Sequence, residues 1–88
     1  MPREQLRQRV EQLRDELSSG EPLDASELEL LEQTLTDVAG LLDGEGAGAT
    51  QHGLVDALRT YAQRVEETHP KLTLAIGAVA DSLARVGL

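Results

Sequence analysis

Leucine and valine recur along this chain at steps of three and four, the spacing of one face of an α-helix, and no segment alternates as a strand would. Leu6, Val10, Leu13 and Leu17 form a first stripe and predict a helix over residues 2–18. Pro2 suits its first turn and Gly20 its stop. Leu28, Leu31, Leu35, Val38 and Leu42, widened by Leu30 and Leu41, predict a second helix over 25–42. Its start, "LDASEL", places Asp24 as N-cap, Glu27 three residues later as in a capping box, and Leu23 where it can staple onto Leu28. The stretch "DGEGAGATQHG" ends that helix, because four glycines in eleven residues cannot sustain one. Leu54, Leu58, Tyr61 and Val65 predict a third helix over 51–67, and Leu72, Ile76, Val79, Leu83 and Val86 a fourth over 70–86.

The pair His69-Pro70 decides whether the last two segments are one helix or two. Pro70 cannot donate to the carbonyl of Glu66, and its ring pushes His69 out of the helical region. Proline is nonetheless welcome in the first turn of a new helix, with Thr68 or His69 at the cap. The apolar phase also slips here: the third stripe extended would reach 68, 72, 75 and 79, whereas the large residues stand at 72, 76, 79 and 83. We therefore expect two helices with a junction of one or two residues. The whole is then an all-α, antiparallel four-helix bundle in a single domain, 1–88. The alternative is three helices, with 51–86 a single helix bent at Pro70 and the chain dimeric.

Composition sharpens this picture. The chain has no Phe or Trp and one Tyr, Tyr61, so its core is built from Leu, Val, Ile and Ala. Aromatic rings normally supply large blocks of buried area, and a thin core favours self-association, with a dimer the expected form. Beside the fourth stripe runs a row of small residues, Thr73, Gly77, Ala80 and Ala84, along which another helix can approach closely. Gly77, Ala80 and Ala84, with Ile76 and Leu83, are the candidate interface residues. With no cysteine there is no disulfide and no thiolate chemistry. The charged N-terminal stretch and the lack of a long apolar run are those of a cytoplasmic protein without a signal peptide.

The net charge of −8 is concentrated. Residues 1–20 and 46–88 each balance four basic against four acidic side chains, while 21–45 hold eight acidic and no basic residues. Glu27, Glu29, Glu32 and Asp37 are the candidate acidic surface, either a solvated face or a site for a protein partner with a basic surface. Nucleic acid and anionic membrane both need clustered Lys and Arg, so neither is expected as a partner.

Three motifs invite chemical readings. "GEGAGAT" lacks the lysine and preceding strand of a phosphate-binding loop and reads as a connector. "ADSLARVG" contains the Asp81-Ser82-Leu83 order of an acyl carrier protein, but Ser82 stands late in the last helix rather than at the start of a middle one. His52 and His69 lie near opposite ends of the third helix, some ~25 Å apart, too far to share a metal. No catalytic residue, metal site or cofactor is expected. The function these features favour is a non-catalytic helical interaction or structural module. An acyl-carrier-like or small-ligand-binding protein is the alternative, and an enzyme the least favoured.

The opening "PREQL", the acidic second segment, the His69-Pro70-Lys71-Leu72-Thr73 segment and the ending Ala80 to Gly87 together resemble the small bacterial family termed domain of unknown function 4404. The resemblance covers nearly the whole chain. It implies no activity, ligand or catalytic residue.

Overall fold

A computed structural model describes residues 2–20, 23–43 and 50–86. The connector glycines 44–48, with Glu21, Glu45 and Gly87, lie outside them. Four helices follow in order: α1 Pro2–Ser19, α2 Ala25–Leu42, α3 Gln51–Val65 and α4 Pro70–Arg85. No strand occurs among the described residues.

Each helix starts and stops for a local reason. α1 ends where Gly20 donates its N–H to the Glu16 carbonyl at 2.8 Å. A β-carbon on Gly20 would stand 2.7 Å from that same oxygen, so only glycine fits this close. α3 is capped by the Thr50 hydroxyl, which accepts from the Gly53 N–H at 2.9 Å and satisfies an otherwise orphan donor. α2 starts one residue after Asp24, as expected, but the capping box does not form. The Asp24 carboxylate makes no bond to the helix amides and instead accepts from Ser26 Oγ at 3.3 Å. The helix start is held by its backbone, Leu28 N–H to Asp24 O at 2.9 Å.

The His-Pro junction breaks the helix, and the break spans four residues, Glu66 to His69, rather than one or two. Glu66 keeps helical dihedrals (φ −57°, ψ −42°), and the His69 N–H still reaches the Val65 carbonyl at 2.7 Å. The turn closes fully only at His69, at φ −138° and ψ 69°. Pro70 then begins α4 where a missing N–H costs nothing. His69 occupies the N-cap position without a side-chain cap bond; its Nδ1 lies 2.9 Å from Thr68 Oγ1.

The alternative of a single bent rod over 51–86 is overturned. α4 folds back along α3, and their backbones approach closely over their length. Gln51, the first residue of α3, reaches the last turn of α4, its Nε2 donating to the carbonyls of Leu83 at 2.5 Å and Val86 at 2.6 Å. α4 packs equally intimately against α1, whereas α2 leans on α3 at longer range. The bundle is thus antiparallel throughout, with α4 between α1 and α3. One core joins all four helices, centred on Leu6, Leu13, Leu31, Leu35, Leu58 and Ile76. The radius of gyration is 12.1 Å, that of a compact chain of this length.

Candidate interaction surfaces

The small-residue row turns toward α3. At its N-terminal end the Thr73 hydroxyl donates to the Ala62 carbonyl of α3 at 3.1 Å, a bond that needs two closely spaced backbones. Ala80, Ile76 and Leu83 are completely buried in the chain's own core. At the Thr73 end, the helix that approaches this row is therefore α3, within the same chain. Gly77 is half-buried and Ala84 exposed. A β-carbon on Gly77 would meet nothing within 4 Å, so open space lies beside it.

The acidic candidates do not form one cluster. Successive helix positions turn by about 100°, so Glu29 and Glu32 point outward while Glu27 and Asp37 lie half-buried on the flank that also carries Leu30 and Leu41. Glu27, Leu30, Thr34, Asp37 and Leu41 follow each other at steps of three, four, three and four along that flank. Leu30 is 46% exposed. None of the four candidate carboxylates has an ion-pair partner among the described residues. The one α1 arginine that reaches α2 there is Arg7, at Asp43 beyond the helix end, 3.3 Å away and exposed. Such a pair adds little to stability.

Titratable groups are otherwise scattered. No buried polar or charged side chain occurs among the described residues, and no three His, Asp or Glu side chains there come together to hold a metal. His52 is exposed beside Asp56 at 3.4 Å, one helical turn away, and His69 stands at the far end of α3. Ser82 is half-buried within α4, far from any helix start. Tyr61 differs. Burial, and secondarily the Glu27 carboxylate, push its phenol up to about 12, with Arg64 opposing. Its hydroxyl donates to the Glu27 carbonyl at 2.9 Å, tying α3 to the start of α2.

His69 and Pro70, together with Lys71, Thr68 and the C-terminal turn of α1, line an open groove of about 630 Å³ at one end of the bundle. Its polar groups are surface groups, with solvent as their ready partner. The residues that sequence reasoning missed are Gln51, Thr50 and Tyr61 as cross-links and caps, and the outward side of α4, where Leu74 stands 76% exposed. Thr50 carried a signal, a hydroxyl just before a periodic apolar run. The bonds of Gln51 and Tyr61 are tertiary and leave no mark in local spacing.

No described helix is long and apolar enough to cross a membrane. No curated protein and no solved structure matches the chain. The family profile described as Domain of unknown function (DUF4404) matches residues 6–88, and the chain therefore belongs to that family.

Proposed function

We propose that this protein is a non-catalytic helical interaction module of the cytoplasm, one that self-associates and docks a protein partner with a basic surface. One observation carries the reading: the core is complete, yet two large apolar side chains, Leu30 on α2 and Leu74 on α4, remain exposed. Leu30 stands in line with Glu27 and Asp37, and Leu41 in the same row packs against the edge of the core. Leucines flanked by carboxylates suit an amphipathic segment whose polar positions are Lys or Arg, since apolar burial gives affinity and charge sets orientation. The acidic flank is then the recognition element, and Glu29 and Glu32 extend its field outward.

The test is affinity purification from the native host with quantitative mass spectrometry, comparing the parent chain with a Glu27→Lys, Leu30→Glu, Asp37→Lys variant. A basic partner retained by the parent, lost by the variant and released as salt rises supports the reading. Identical protein sets from both chains would refute the α2 flank as a docking site.

A further inference from the structure

α4 carries two stripes. Leu72, Ile76, Val79, Leu83 and Val86 face the core. On the opposite side Lys71, Leu74, Ala78, Asp81 and Arg85 follow at steps of three, four, three and four, the spacing of a coiled-coil seam. Lys71, Leu74, Asp81 and Arg85 are exposed and Ala78 is half-buried. No part of the described chain covers Leu74.

The order of side chains along this outer row is positive, apolar, apolar, negative, positive. Turned end for end about a two-fold axis level with Ile76, the row meets a copy of itself in register. Lys71 of each copy then faces Asp81 of the other, and Leu74 of each faces Ala78 of the other. Arg85 comes beside the other copy's α3–α4 turn, which presents the exposed carboxylates of Glu66 and Glu67. We infer that a second copy of this chain docks here, forming an antiparallel α4–α4 dimer. This deepens the self-association reading proposed above and rests on it.

Three features favour this occupant. A parallel in-register pairing would set Lys71 on Lys71 and Asp81 on Asp81, whereas the antiparallel one sets Lys71 on Asp81 twice, both contacts attractive, as a two-fold interface requires. Four of the acidic residues of 21–45, Glu27, Glu29, Glu32 and Asp37, lie on α2, which packs on α3 and not on this side of α4, so the dimer axis keeps these two helices apart. The open space at Gly77, with the small Ala78, leaves a notch for Leu74 of the second copy. Asp81 already pairs with Arg59 of α3 at 3.5 Å, both exposed; its two oxygens can serve Arg59 and the incoming Lys71 together. A single helix seam is a small interface, below the ~1,200 Å² of standard complexes, so the dimer is concentration-dependent.

Sedimentation equilibrium on the full chain, from about 10 µM to about 1 mM, tests this. The mass should climb from 9.5 kDa toward twice that value. Lys71→Glu and Asp81→Lys should each raise the dimer Kd roughly 10- to 30-fold, since each substitution turns two attractive contacts repulsive. An equimolar mixture of the two variants should dimerise again, because the first keeps Asp81 and the second keeps Lys71. A purely structural role for either residue would not be rescued by mixing. A monomer throughout the series would overturn both this inference and the self-association reading. A dimer indifferent to either substitution, or variants that mixing does not rescue, would overturn this face and leave self-association standing.

Discussion

Tyr61 is the chain's one aromatic residue, and raising the pH perturbs it without any mutation. Tyr61 is 5% exposed and its hydroxyl donates to the Glu27 carbonyl at 2.9 Å. Burial first, and the neighbouring Glu27 carboxylate second, hold the phenol protonated up to about 12, against 10.0 for a free tyrosine. Below pH 10 the phenol is protonated in both folded and unfolded chains, and the stabilisation is fully present. Between 10 and 12 the unfolded chain ionises while the folded chain keeps its proton, so stability falls as pH rises. Above the folded value the loss is complete, at roughly 2–3 kcal/mol. That is a large share of the 5–10 kcal/mol expected for a domain of about this size. Urea unfolding from about pH 8 to about pH 12, on the parent and on Tyr61→Phe, isolates the effect, because lysine and arginine titration is common to both. At the lower pH Tyr61→Phe should be less stable by about 1 kcal/mol for the lost hydrogen bond. The gap should close and then reverse as the pH rises. Tyrosinate absorbance gives a direct check, since Tyr61 is the only contributor. A folded-state midpoint near 10, or parallel stability profiles for the two proteins, would refute the reasoning.

Two further substitutions test the packing. Gly40 lies inside α2 with open space where a β-carbon would go, so Gly40→Ala should raise stability by about 1 kcal/mol and Tm by roughly 4–8 °C; a loss in the melt would show that something fills that space. Gln51→Ala removes both donors to the last turn of α4 and should cost about 1–2 kcal/mol. Hydrogen exchange should then quicken at the Val86 amide, which bonds to the Leu83 carbonyl, while the centre of α4 near Ile76 changes no more than the global stability does.

The four helices were legible because each keeps a leucine or valine stripe over several turns, and Gly20 and Pro70 mark real boundaries. α2 emerged with both ends as read. The length of the His-Pro junction was not legible: proline removes one hydrogen bond, but the preceding backbone can stay helical until His69, and spacing alone does not say where it turns. The Asp24 cap failed for a related reason, since a carboxylate able to cap can also accept from a nearby hydroxyl, here Ser26. The small row on α4 was visible as a close-packing face, but nothing in one helix's sequence tells whether the approaching helix belongs to the same chain. Burial decides that for Ala80. The outer row from Lys71 to Arg85 was equally present in the spacing; it gained meaning only once the opposite stripe was known to be inside.

The position of α4 between α1 and α3 has a kinetic consequence. α3 and α4 are joined by four residues, so their pairing closes a short loop and can form early, whereas α1 must find α4 across most of the chain. The α3–α4 hairpin, pinned by Thr73 to Ala62, is then the natural folding nucleus, and α1 docks onto a surface already made. Weakening the Thr73 contact should slow folding, while thinning the Leu6 and Leu13 contacts should mainly hasten unfolding. α1 thus precedes α4 in the chain with two helices between, yet it settles only once α4 is in place.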